Sequence, residues 1–128
     1  MTYKIEQIEG IGPSYGQRLE AAGVVTSDDL LTRCATPAGR QKLAQVTGLS
    51  PDQILTWANQ ADLMRVSGVG SEFGQLLEAS GANRNPENLV SMMARVNDEK
   101  KLTRVLPALK TVEKWVEQAQ TMEPVLSH

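Results

Sequence analysis

Two Gly-x-Gly triplets are the residues of this sequence whose types and spacing could bind an anion. They are Gly10-Ile11-Gly12 and Gly68-Val69-Gly70. Glycine adopts backbone conformations closed to other residues and lets a partner approach the main chain. The apolar middle residue, Ile11 or Val69, is expected to turn inward and pin the two helices together. Where a helix follows such a triplet, the free amides of its first turn and the helix dipole together favour a bound phosphate. Contacts of this kind hold a nucleic-acid backbone without reading its base sequence.

The side chains beside the two triplets differ in how well they suit a phosphate. Ser14 and Arg18 follow the first triplet, whereas Ser71 and then Glu72 follow the second, and Glu9 precedes the first. The sequence therefore favours the first triplet as the phosphate contact, and the alternative is that both triplets are purely structural turns. The candidate nucleic-acid-binding residues are Gly10, Ile11, Gly12, Ser14, Arg18, Gly68, Val69, Gly70 and Ser71.

Residue patterns for catalysis or metal binding are lacking. The only histidine is His128, the last residue, and the only cysteine is Cys34. This composition excludes a cysteine-based metal cluster and an internal disulfide, and it offers no Ser/His/Asp or Cys/His set. We therefore expect a non-enzymatic protein with no cofactor and no metal, in which Cys34 is a buried small residue.

Both triplets belong to a longer internal repeat with a shift of 58 residues, which carries Gly10 to Gly68. No gap is needed in this register. The shift predicts two units, 1–64 and 65–128, and no Pro/Gly/Ser-rich linker separates them, so we expect them to pack together. Further matching pairs are Tyr15 and Phe73, Gly16 and Gly74, Leu19 and Leu77, Trp57 and Trp115, Gln60 and Gln118, and Met64 and Met122. The four aromatic residues among them are predicted to lie in the core.

Capping residues and helical periodicity predict an all-α fold with about five short helices in each unit. The fifth helix of the first unit is expected to run through Asp62–Arg65 into the second triplet and to serve as the first helix of that hairpin. No alternating strand pattern with turn signals is present. Predicted helix starts include Pro13, Thr26 or Ser27 before Asp28-Asp29, Pro37, Ser50-Pro51, Asn85-Pro86 and Asn97-Asp98-Glu99.

The segment from Ile8 to Val24 resembles the helix-hairpin-helix segment of DNA-repair and DNA-metabolism proteins. The stretch from Ala61 to Gly81 is similar to a bacterial family of unknown function that is built from tandem helix-hairpin-helix units. This resemblance covers nearly the whole chain. It implies two tandem helix-hairpin-helix units packed as one compact domain, and it implies contact with DNA, although the same hairpin also serves protein contacts.

Charge leaves two functions open. The net charge is −2, so nucleic-acid binding would depend on a local patch, and the densest basic region runs from Arg95 to Lys114. The leading hypothesis is sequence-independent contact with a DNA or RNA backbone, and the alternative is a protein-interaction or scaffold module. No apolar run approaches membrane-spanning length, so we expect a cytoplasmic protein without a membrane partner. The sequence defines no oligomeric state.

Overall fold

Helices account for every regular element of the structure, a computed structural model that describes residues 2–81 and 85–127. A short 3₁₀ helix, Ile5–Gln7, comes first, and an isolated bridge joins Lys4 to Thr26. The predicted all-α class is confirmed. The α-helices are α1 (Gly12–Ala21), α2 (Ser27–Arg33), α3 (Pro37–Thr47), α4 (Pro51–Leu63), α5 (Ser71–Ala79), α6 (Pro86–Lys100) and α7 (Leu109–Thr121). Within the described ranges, no helix has the length and apolar character needed to cross a membrane.

Side-chain caps begin four of these helices, and the sequence predicts the starts of all four. The caps of α2, α3, α4 and α6 are Thr26, Thr36, Ser50 and Asn85. Thr26 forms a capping box with Asp29, whose carboxylate accepts from the backbone amides of Val25 and Thr26. These two hydrogen bonds lower the pKa of Asp29. No side chain caps α1, α5 or α7.

The predicted helix start at Asn97 is wrong. Helix α6 continues through this position to Lys100 and ends where Lys101 adopts a left-handed conformation (φ 53°). The confirmed starts of α3, α4 and α6 each have a proline in the first turn, which Asn97 lacks. Its side chain instead holds the following loop, because its amide nitrogen donates to Thr103 O (3.0 Å) and its oxygen accepts from Thr103 N (2.9 Å). The described part of the second half therefore has three helices, fewer than the five expected.

Buried hydrophobic side chains form two clusters that divide between Met64 and Val66. The first cluster contains 15 buried residues, from Ile5 to Met64, and the second contains 8, from Val66 to Trp115, among the residues described. Helix α4 belongs to the first cluster and also packs against α5 of the second half. The C-terminal tail joins the halves a second time, because Ser127 N donates to Ala35 O (2.8 Å).

The two tryptophans have matching surroundings. Trp57 and Trp115 are 1% and 6% exposed, which confirms their predicted place in the core. Tyr15 lies against Trp57 with ring centroids 5.3 Å apart at 54°, and Phe73 lies against Trp115 at 5.4 Å and 53°. Tyr15 was expected in the core, but it is 41% exposed because its ring covers Trp57 from the solvent side.

Candidate nucleic-acid interface

The first Gly-x-Gly turn, Gly10–Gly12, combines two glycines in left-handed backbone conformations. Their φ angles are 93° and 62°, which other residues adopt only with strain. Ile11 between them is 2% exposed, so it points inward as the sequence predicts. Helix α1 begins at Gly12 with no capping side chain and no acidic residue in its first turn. The first-turn amides of α1, apart from Pro13, which has no N–H, therefore remain available to an anion.

The second Gly-x-Gly turn, Gly68–Gly70, has a different backbone. Gly68 is left-handed (φ 88°), but Gly70 has a φ of −87°, which any residue can adopt. Helix α5 begins one position later in the repeat, at Ser71, and carries Glu72 in its first turn. Val69 is 1% exposed and packs inward like Ile11. The second turn therefore has the same inward apolar residue but a more acidic helix start.

The two turns lie side by side. Ser71 Oγ, at the first residue of α5, donates to Glu9 Oε1 at 3.1 Å, and Glu9 is the residue that precedes the first turn. A carboxylate at a helix N-terminus is stabilised by the helix dipole in the same way as a phosphate. The Glu9 carboxylate therefore lies beside the start of α5, where its negative charge would repel an external anion.

Two glutamines and two tryptophans hold the backbones of the turns. Gln60 Nε2 donates to Glu9 O at 3.2 Å, and Gln118 Oε1 accepts from Ser67 N at 3.2 Å. A Cβ atom at Gly10 would lie 3.4 Å from Trp57 Nε1, and one at Gly68 would lie 3.1 Å from Trp115 Nε1. Each turn is thus seated on the helix that carries its tryptophan and glutamine, α4 or α7. No role was predicted for these glutamines from the sequence, although they match each other in the 58-residue register.

The candidate side chains after the first turn do not stay together. Ser14 is exposed in the first turn of α1, next to the free amides. Arg18 lies six residues beyond Gly12, about 9 Å further along the helix axis. Its Nη2 would be 3.1 Å from a Cβ atom at Gly48, where α3 ends, so this guanidinium lies beside the α3 C-terminus. Ser14 therefore belongs to the first turn, and Arg18 marks a separate point on the surface.

Cys34 is buried, as predicted, and burial raises its thiol pKa to about 11. The thiol is therefore protonated at neutral pH and poorly nucleophilic. Among the residues that the structure describes, no group of three His, Cys, Asp or Glu side chains could hold a metal ion.

These features define an all-helical domain in which two Gly-x-Gly turns lie next to each other at helix N-termini. The chain belongs to the family described as Domain of unknown function (DUF4332), whose model matches residues 9–122. Comparisons with curated proteins and with solved structures give no match.

Proposed function

We propose that this domain is a non-catalytic binding module that contacts the sugar–phosphate backbone of a nucleic acid without reading its sequence. The observation that carries the proposal is the first Gly-x-Gly turn, where two left-handed glycines precede a helix with no side-chain cap and no first-turn carboxylate. Four other helices have side-chain caps at this position. An uncapped start with accessible backbone is the arrangement that backbone-mediated phosphate binding requires.

The architecture that we propose for this function is a tandem pair of helix-hairpin-helix units. Its support is the repetition of local geometry with the 58-residue shift. The ring pairs Tyr15–Trp57 and Phe73–Trp115 agree within 0.1 Å in centroid distance, at 5.3 and 5.4 Å, and within 1° in interplanar angle, at 54° and 53°. Each hairpin also has an inward apolar residue between its glycines. In this arrangement the first hairpin contacts phosphate and the second supports it.

Electrostatics sets the expected strength of the contact. The chain has a net charge of −2, and Glu9 lies between the two turns. Few counterions are released when one phosphate is bound by neutral amides, so we expect weak binding with a shallow salt dependence. Contact with RNA and with DNA should be similar, because both present the same phosphate groups to the turn.

A protein-interaction or scaffold module is the second candidate function. The bond between Ser71 and Glu9 favours it, because a turn with a carboxylate beside its helix start repels an external anion and suits a structural role better. In that case both Gly-x-Gly turns hold helices together, and the partner binds elsewhere on the helical surface.

A fluorescence-anisotropy titration with a short DNA duplex and a short single strand, each at two salt concentrations, tests the proposal. The informative variant is Ser14→Glu, which puts a carboxylate in the first turn of α1 as Glu72 does in α5. The matched control is Ser91→Glu, which makes the same charge change at an exposed position of α6. We expect Ser14→Glu to weaken binding about fivefold or more, since a like charge near a phosphate costs on the order of 1 kcal/mol, and Ser91→Glu to bind like the wild type.

Absence of binding at low salt, or equal affinity of both variants and wild type, would support the scaffold function instead. Circular dichroism of both variants serves as the folding control. Neither substitution removes a buried side chain, and a carboxylate in the first turn of a helix is favourable to that helix.

A further inference from the structure

The loop between α6 and α7 exposes aliphatic side chains. Val105 and Leu106, within this loop, are 69% and 42% exposed, and Leu109, the first residue of α7, is 39% exposed. Large apolar side chains that are close in sequence and exposed to solvent commonly mark an interaction site. We call residues 101–110 the α6–α7 tip.

The shape of the α6–α7 tip is held by hydrogen bonds at its base. The Asn97 side chain pairs with both the N–H and the carbonyl of Thr103, and Thr103 Oγ1 donates to Val105 O at 2.9 Å. Leu102 packs against the second hydrophobic cluster. The base of the loop is thus held in place, and Val105 and Leu106 remain exposed to solvent instead of packing onto the hydrophobic cluster.

Positive charge surrounds this apolar tip. Between positions 98 and 114 the chain has five cations and three carboxylates, Asp98, Glu99 and Glu113, a net of +2 in a protein of net charge −2. All five cations are exposed: Lys100, Lys101, Arg104, Lys110 and Lys114. Lys101 reaches Asp98 only at 3.9 Å, with both side chains mostly in solvent, and Lys100 also interacts with Glu78 on α5. Such an exposed pair does little to neutralise the tip.

We propose that the α6–α7 tip docks on the surface of an anionic phospholipid bilayer. Val105 and Leu106 enter the headgroup region, and the surrounding cations bind lipid phosphates. A bilayer satisfies both properties of the tip, because interfacial binding strengthens with buried apolar surface and with positive charge. A nucleic-acid backbone would use the cations but leave the aliphatic side chains facing charged phosphates.

This contact differs from the sequence-based expectation of no membrane partner, which considered only membrane-spanning segments. A peripheral contact needs none. It is also independent of the proposed function, because the tip and the Gly-x-Gly turns are different parts of the chain.

Vesicle co-sedimentation tests the proposal with the full chain. The probes are vesicles of phosphatidylcholine alone and of phosphatidylcholine with phosphatidylserine, at low and physiological salt. We expect binding to the anionic vesicles only. Val105→Ser combined with Leu106→Ser should reduce the partition coefficient by at least about tenfold, through lost apolar burial. Arg104→Gln and Lys110→Gln should each reduce it about fivefold, in line with the contribution of one cation at an anionic leaflet.

The matched control combines Val25→Ser with Val46→Ser, two valines of the first half that are 49% and 61% exposed. It should bind vesicles like the wild type, and so should Ser14→Glu, which affects only the first turn. All of these positions are exposed, so thermal unfolding should be little changed in every variant.

The proposal is overturned if the wild type does not bind anionic vesicles at low salt, or if the tip variant and the valine control bind equally. It is also overturned if the tip variants weaken binding to duplex DNA while vesicle binding stays constant, since the tip would then be a nucleic-acid surface.

Discussion

The two Gly-x-Gly turns share a position in the repeat but differ in what lies at the helix start behind them. At the first turn, the N-terminus of α1 has no cap and no first-turn carboxylate. At the second, the N-terminus of α5 has Glu72 in its first turn and the Glu9 carboxylate hydrogen-bonded to Ser71. The helix start behind the first turn therefore has no carboxylate in its first turn, whereas the one behind the second has a carboxylate in its first turn and another bonded to its first residue.

This comparison separates the features that the two turns share from those in which they differ. The shared parts, which are the inward apolar residue, the tryptophan behind the first glycine and the glutamine bonded to the backbone, hold the hairpin together. The parts that differ are the ones that face an anion. Around the turns, the residues that are identical in the two halves therefore mark the packing, and the residues that differ mark the candidate site.

The largest expected effect is on the free energy of unfolding. It compares how much each tryptophan stabilises its half of the chain. Trp57→Ala should lower the free energy of unfolding by an amount near the upper end of about 3–5 kcal/mol, and Trp115→Ala by an amount near the lower end. The reason is that Trp57 is less exposed and belongs to the larger cluster. Urea denaturation followed by circular dichroism measures both values. A larger loss at Trp115 would contradict this ranking of the two cores.

Smaller effects on the melting temperature, of opposite sign to each other, are expected when alanine replaces Gly16 and Gly74, which match in the 58-residue register. A Cβ at Gly74 would lie 2.9 Å from Met64 Cγ in the buried core, whereas one at Gly16 would lie 3.1 Å from the Cγ of Glu6, an exposed side chain that can move. Alanine in a helix gains about 1 kcal/mol over glycine, and overpacking a core costs about 1–3 kcal/mol. Gly16→Ala should therefore raise the melting temperature and Gly74→Ala should lower it. Equal shifts in thermal unfolding would show that the two helix contacts are equivalent.

Much of the fold could be predicted from local signals. Proline and capping residues placed the starts of α2, α3, α4 and α6, because a helix start is determined by a few neighbouring residues. The same signals failed at Asn97, where the side chain pairs with Thr103 after the helix instead of capping a new one. An Asn side-chain amide can either cap a new helix or bond to the loop that follows its own helix. The sequence alone does not show which of these backbone groups it will bind.

The candidate site was predictable only in part. The inward positions of Ile11 and Val69 followed from their apolar character between two glycines. The bond from Ser71 to Glu9 did not, because it joins residues 62 positions apart. The separation of Arg18 from the first turn could not be predicted from the sequence either, since it depends on where the end of α3 packs. Long-range neighbours decide which groups face an anion, and local sequence carries little information about them.

The most direct measurement of the difference between the turns is the affinity of Glu9→Gln for duplex DNA, by fluorescence anisotropy at low salt. This substitution removes the negative charge that lies between the two turns, and Glu72→Gln is its matched control, since it removes one charge in the first turn of α5 and leaves Glu9 in place. We expect Glu9→Gln to bind about fivefold more tightly than the wild type, from the loss of one repulsive charge, and more tightly than Glu72→Gln. Unchanged affinity in Glu9→Gln, or equal gains in both variants, would contradict the inference that the Glu9 carboxylate keeps an external phosphate from the turns.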